Sequence, residues 1–185
     1  TLTVNDPYAQ PSFLRRLVTP ILYGMNAVLP KSAYDAIYKP AFDFYQVLVR
    51  SWYKRRLVAE RRSGSIQRVL CMERVLKAME YSLVAYPGLE CTHDLATGLV
   101  EQKVQGSFVE CGVAQGGCAS LLATVAAEDK DGRACWFFDS YEGLPDATSD
   151  DYEAGKTGRH IRPLPKGSCL GTYEQVKWLL FDKFG

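Results

Sequence analysis

Between Phe108 and Phe138 the sequence changes its hydrophobic period twice, and no other stretch restricts the fold as strongly. Ser107-Phe-Val-Glu-Cys-Gly112 is a short apolar run that enters glycines. Residues 118–127, CASLLATVAA, have the length and small apolar side chains of a packed helix. A polar turn over residues 128–133 leads into a second buried strand, Ala134-Cys-Trp-Phe-Phe138. Strand, glycine turn, helix, turn and strand within about 30 residues make one βαβ unit, whose strands run parallel through a right-handed crossover.

The flanking segments read as helices. Ile66, Val69, Leu70, Leu76, Met79, Leu83 and Val84 recur at helical spacing until Pro87-Gly88 stops the run. Thr92 or Asp94 is placed to cap a second helix that continues through Val104. Thr172-Tyr-Glu-Gln175 has the spacing of a capping box and opens a helix over residues 173 to about 184. Residues 140–168 have no period and are rich in Gly, Pro and Asp, the mark of a long functional loop.

The first third of the chain differs in charge. Residues 1–64 hold ten Lys/Arg against four acids, a net charge of +6, which leaves 12 against 17 over residues 65–185, a net −5. Ten of the 22 aromatic residues also fall there. Pro7, Pro11, Pro20, Pro30 and Pro40 predict short helices joined by turns, then one helix over about residues 41–62. We therefore expect a basic, aromatic helical arm over residues 1–64 and an α/β domain over residues 65–185. The arm suits a protein partner or an anionic membrane surface, and no binding motif accompanies its charge to suggest nucleic acid.

At 47% hydrophobic and 23% charged, the composition excludes a disordered or fibrous chain. No stretch reaches the roughly 20 apolar residues of a membrane span, and the first residues lack the pattern of a signal peptide. The expected location is cytoplasmic; the competing reading of the arm is a solvated basic face whose aromatic stripe packs on the rest of the chain, with no attachment to a membrane or partner. The six cysteines form no CxxC pair and are expected to be buried reduced thiols.

The chemistry centres on the glycine turn, where Glu110 precedes Gly112, Gly116 and Gly117. Such glycines allow the backbone to turn sharply and to approach a ligand, with the N–H groups of a helix N-terminus behind them. Asp139, 22 residues after Gly117, ends the next strand, where an acid can accept hydrogen bonds from ribose hydroxyls. Glu110 would repel a pyrophosphate, which with the missing third glycine disfavours a dinucleotide oxidoreductase. It suits a cationic ligand that carries an amino-acid group, and S-adenosylmethionine combines that group with adenosine and a sulfonium. Packing of helix on strand is the competing role of the glycines. His160, His93, Asp146 and Asp150-Asp151 read as solvated residues, and no metal cluster is assigned.

Phe108-Val-Glu-Cys-Gly-Val-Ala-Gln-Gly-Gly117, Phe138-Asp-Ser-Tyr-Glu-Gly-Leu-Pro145, Lys166-Gly-Ser-Cys and Tyr173-Glu-Gln-Val176 together resemble, in order and spacing, the macrocin O-methyltransferase (TylF-like) family. The likeness covers about residues 66–185 and leaves residues 1–64 unmatched. It implies a Rossmann-like class I methyltransferase fold, incomplete here, with a helical arm in front. It also implies that Glu110, Gly112 and Gly117 line the methionine side of S-adenosylmethionine, with Gly116 in the same turn. Asp139 and Ser140 would lie at the ribose, Tyr141 near the adenine, and the loop over residues 143–168 above the acceptor. Cys111 stands where members often have Thr, and Ala114-Gln115 where they often have an aromatic–Arg pair. Members continue with further strands that supply acceptor-site residues and Mg²⁺ ligands, so those ligands are not expected within this chain.

The function that follows is an O-methyltransferase acting on a hydroxyl of a small molecule or sugar. The contrasting expectation is a non-catalytic methyltransferase-like subunit of a larger, membrane-associated assembly. A homo-oligomer is compatible with either.

Overall fold

The computed structural model describes residues 20–21, 24–25, 28–146, 148 and 166–184. They belong to two compact units, Thr1–Ile66 and Gln67–Gly185, each described by itself.

In the first unit one helix, α1 (Lys31–Ser63), dominates. It begins ten residues earlier than the sequence predicts and passes through Pro40. Proline keeps a helical φ and costs one hydrogen bond to the carbonyl four residues back, a loss of about 3 kcal/mol that the remaining turns of a long helix can carry. Val49, Tyr53 and Leu57, spaced by four, are buried. Arg61 and Arg62 sit in the last turn, where cations favour the helix dipole. Gly64 ends the helix in extended backbone, its N–H still bonded to the Glu60 carbonyl at 2.6 Å.

The second unit opens within α2 (Ile66–Ala78), which belongs to it from Gln67 on and buries Cys71, Met72, Val75 and Ala78. The apolar spacing continues to Val84, but the helix tightens into a 3₁₀ turn over Met79–Tyr81, leaving Leu83 and Val84 exposed. Pro87 then starts the next helix instead of stopping the previous one. It stands in the first turn of α3 (Tyr86–Glu101), where its missing N–H has no partner to lose. Thr92 is consequently inside α3, and its hydroxyl donates to the Gly88 carbonyl at 2.9 Å.

Strand β1 (Phe108–Cys111), helix α4 (Gly117–Glu128) and strand β2 (Cys135–Phe138) form the expected βαβ unit. The strands are parallel, in the register Phe108↔Cys135 to Cys111↔Phe138. Arg133 fastens the near end. Its guanidinium donates to the Gly106 and Val104 carbonyls and to Asp129, and it lies 4.8 Å from the centre of the Phe108 ring. Helices α3 and α4 pack together over one sheet face, around Ala96, Phe108, Val125 and Ala126. The other face carries Val109, Trp136 and Phe138, each more than half exposed. Two strands are the whole sheet among the described residues, so a complete Rossmann sheet is not seen.

Helix α5 (Tyr173–Trp178) closes the unit and runs into a π-helical turn over Leu179–Lys183. Thr172 caps it as the sequence predicts, accepting a hydrogen bond from the Gln175 N–H at 3.2 Å. Val176 joins Val113 and Ala119 in a second small core beneath the glycine turn. The six cysteines are free, but only Cys71 is buried; Cys111 is exposed because strand alternation turns it to the open sheet face.

Candidate functional site

The site lies at the carboxyl ends of β1 and β2, where open α/β sheets bind ligands. Beyond β1 the chain keeps its ladder for one more bond, Gly112 N–H to the Phe138 carbonyl at 2.7 Å, and then turns. Gly112 (φ 92°) has left-handed backbone, and a Cβ there would meet nothing within 4 Å, so the turn is open on that side. The other two glycines answer to the protein. A Cβ on Gly117 would run into the Ser82 side chain, and one on Gly116 would stand 3.0 Å from Leu179 Cδ2. Gly116 (φ 92°) is also the N-cap of α4 and brings no side-chain cap, which leaves first-turn N–H groups facing the turn.

Asp139 holds this turn and the next one together. Its Oδ2 accepts from the Ala114 N–H and its Oδ1 from the Tyr141 N–H, both at 2.8 Å. Ala114 (φ 48°) and Tyr141 (φ 58°) are non-glycine residues in left-handed conformation. Burial raises the Asp139 pKa, but backbone N–H groups of Ala114, Tyr141, Val113 and Ser140 outweigh it and hold the carboxyl below its usual range. A carboxylate offers about four lone-pair positions, and the Ala114 and Tyr141 amides take two of them, which leaves acceptor capacity for a ribose.

Glu110 is the opposite case. Its Oε2 is buried and has no hydrogen-bond partner among the described residues. Burial first, and then the charge of Asp139, pushes its carboxyl up to about 7. Cys118, in the first turn of α4, is raised by its own burial and by Glu110, and its sulfur lies 3.9 Å from the Thr92 hydroxyl oxygen. The carboxyl thus faces an acid and a thiol across an open turn.

Ser140 is exposed, and its hydroxyl accepts from the Glu142 N–H at 3.3 Å. The Tyr141 ring packs edge-on to Tyr173 at 5.6 Å, on the core of Val113, Ala119 and Val176. The loop expected above the acceptor is closed at its base: Leu144 N–H donates to the Ser168 carbonyl and Gly167 N–H to the Leu144 carbonyl. Asp146 pairs with Lys166 at 2.8 Å, both exposed. His160 and Asp150-Asp151 lie outside the described residues. The fold therefore brings together Glu110, Gly112, Asp139, Ser140 and Tyr141, and it sets Gly116 and Gly117 beneath them as packing points.

His93, read as a solvated residue, is buried. Once α3 is taken to begin at Tyr86, with Pro87 in its first turn, His93 falls between Leu89 and Ala96 on the buried face, a signal that sequence reading missed. With Cys71 and Asp94 it forms a cluster whose ligand atoms lie within 4.8 Å of one another. A metal there would bind His93 Nδ1 and put the ring proton on Nε2. Arg74 Nη1, a donor with no acceptor capacity, already faces Nε2 at 3.2 Å. The neutral ring accepts from Arg74 and keeps its proton on Nδ1 toward Asp94, 3.5 Å away, so the cluster is a hydrogen-bond network. Cys71 shares it, its thiol 3.4 Å from Asp94 Oδ1 and pushed up to about 12 by burial and then by that carboxylate.

A small parallel sheet, a βαβ unit and an acid-bearing glycine turn at the strand ends define an α/β protein compatible with a methyltransferase fold. The chain belongs to the macrocin-O-methyltransferase (TylF) family, whose sequence model matches residues 14–165. That match takes in most of the arm, which the motifs alone left unmatched. The demethyldecarbamoylnovobiocin O-methyltransferase of Streptomyces niveus is 30% identical over 76 residues, which are 40% of this chain and 29% of that protein. The chain thus spans less than a third of that relative's length. No solved structure matches it.

Proposed function

We propose that this chain binds S-adenosylmethionine and serves an O-methyltransferase acting on a hydroxyl of a small molecule or sugar. The observation that carries the reading is the buried, unpartnered Oε2 of Glu110 beside an open glycine turn. A half-buried carboxyl with an acid and a thiol for neighbours gains from a cationic ligand group, which would restore its ionised form. The uncapped start of α4 suits a carboxylate. Ammonium and carboxylate together are the amino-acid end of the cofactor, so the residues present fit the group. Ser140 and Tyr141 stand on the neighbouring turn, where the nucleoside end would lie, and Asp139 serves by fixing both turns. The family and the relative's activity support the same reading.

When bound, S-adenosylmethionine supplies an electrophilic methyl group. The residues of this chain orient it: Glu110 by charge, the α4 amides by hydrogen bonds, and the Asp139-bound turns by holding their shape. Positioning of this kind accounts for much of the rate of a transfer that needs in-line approach.

Calorimetric titration of the purified chain with S-adenosylhomocysteine tests the reading. Saturable heat is expected, with at least tenfold weaker binding for Glu110→Gln. A folded chain that gives no heat at millimolar ligand would sink it.

A further inference from the structure

Helix α1 presents an unusual outer face. At about 100° per residue, Ile37, Phe44, Val47, Leu48, Trp52 and Val58 fall within one half of its circumference, opposite the buried Val49, Tyr53 and Leu57. All six are exposed, Phe44 at 63% and Val47 at 57%. The same face continues into Lys54, Arg55, Arg61 and Arg62, all exposed, while Asp43 is the one exposed acid among the described residues 40–63. The helix is therefore apolar on its inner side, apolar over the first turns of its outer side, and cationic over the last.

Three features decide what such a face can meet. Its apolar part spans about 140° of the circumference, broader than a stripe of roughly 100° on a packed helix, and that breadth fits a plane better than a neighbouring helix. Pairing with the same face of a second copy fails on charge: a parallel pair would stack the four cations on their counterparts, and an antiparallel pair would bury them against the other copy's apolar turns. Among the described residues no helix is long and apolar enough to cross a membrane, so a lipid-bound helix would lie along the surface. Large apolar and aromatic side chains that enter the boundary between headgroups and acyl chains, with Lys and Arg drawn to anionic headgroups, are the general chemistry of interfacial helices.

We propose that the outer face of α1 is a docking surface for an anionic phospholipid bilayer. Ile37, Phe44, Leu48 and Trp52 enter the interface, and Lys54, Arg55 and Arg62 engage the headgroup charge. The net +6 of residues 1–64 attracts an anionic membrane. This inference is independent of the cofactor reading.

Co-sedimentation of the full chain with vesicles tests it. Vesicles of phosphatidylcholine with 30% phosphatidylglycerol should bind it at least tenfold more tightly than pure phosphatidylcholine, with most of that preference lost in 0.5 M NaCl. The triple variant Lys54→Glu, Arg55→Glu, Arg62→Glu should lose the preference for anionic lipid. Phe44→Ser with Leu48→Ser should weaken binding severalfold even at low salt. All these side chains are exposed, so unchanged circular dichroism and melting should accompany each loss. No binding, equal binding to both vesicle types, or binding unmoved by both variants would overturn the proposal. Self-association that Phe44→Ser abolishes, without vesicle binding, would assign the face to a protein contact instead.

Discussion

Glu110 and Asp139 stand at the ends of paired strands, yet the fold treats the two carboxyls in opposite ways. Backbone amides favour the charge of Asp139, whereas Glu110 is half-buried, with an Oε2 that is buried and that nothing in the described structure satisfies. The sign of the pH effect follows. With its pKa raised from 4.5 to about 7, Glu110 makes the folded state hold its proton more tightly than the unfolded one. The stabilising effect is full below about pH 4.5 and is lost as pH rises through about 7. Relative to Glu110→Gln, the wild-type chain should lose about 2–3 kcal/mol across that window, since each tenfold gain in proton affinity is worth about 1.4 kcal/mol before solvent screening reduces it. Urea unfolding at pH 4.5, 6 and 8 measures it, and parallel curves for the two proteins would show a solvated Glu110. Asp139→Ala is expected to cost about 2–4 kcal/mol without any ligand, because it strands amides of two left-handed turns. Unchanged stability would mean that water replaces the carboxylate. At this scale the sequence marks both acids, but Asp139's partners are hidden: Ala114 and Tyr141 take left-handed backbone that nothing in their side chains announces.

Periodicity located every helix and strand among the described residues of the second unit but misplaced several of their ends. Strands β1 and β2 and helix α4 lie within a residue or two of expectation because each switch of period is bounded by glycine or charge. Proline is where reading failed. Pro87 looks the same as a terminator or as the first-turn residue of α3, and only the tertiary burial of Leu89, His93 and Ala96 decides between them. Pro40 looks like a breaker, yet α1 runs through it. Thr172 was legible because a cap is a local bond between neighbours. Thr172→Ala should therefore cost about 1 kcal/mol, read as a lowered urea midpoint. A loss below a few tenths would mean that the π-helical turn after Trp178, and not the cap, holds α5 in place. The distinct demands on the turn glycines give a further test. Gly117→Ala should destabilise by more than about 2 kcal/mol, since its Cβ would meet the Tyr81 carbonyl as well as Ser82. Gly112→Ala meets open space and costs only the strain of its left-handed backbone, about 1 kcal/mol.

Across the whole molecule, burial is uneven in a way that composition conceals. A parallel sheet is normally covered on both faces, because each strand needs a crossover that lays a helix on it. Here α3 and α4 cover one face, while Val109, Cys111, Trp136 and Phe138 line the other, with Trp136 and Phe138 each 55% exposed. Register makes the patch contiguous, since Val109 stands opposite Trp136 and Cys111 opposite Phe138. The sequence reads β2 as a buried strand, and the exposure of Trp136 and Phe138 corrects that, since a buried strand and a half-covered one read alike when both sides are apolar. Exposed apolar area of this kind drives association in proportion to its size. The chain should therefore self-associate as its concentration rises, and light scattering should show the effect strengthening with sulfate, which promotes apolar burial. Trp136→Ser with Phe138→Ser should suppress it without lowering the melting temperature, because neither side chain contributes to the packed face. Association unchanged in that variant, but lost in one altered only on the outer side of α1, would show that the open sheet face is not the surface that brings copies together.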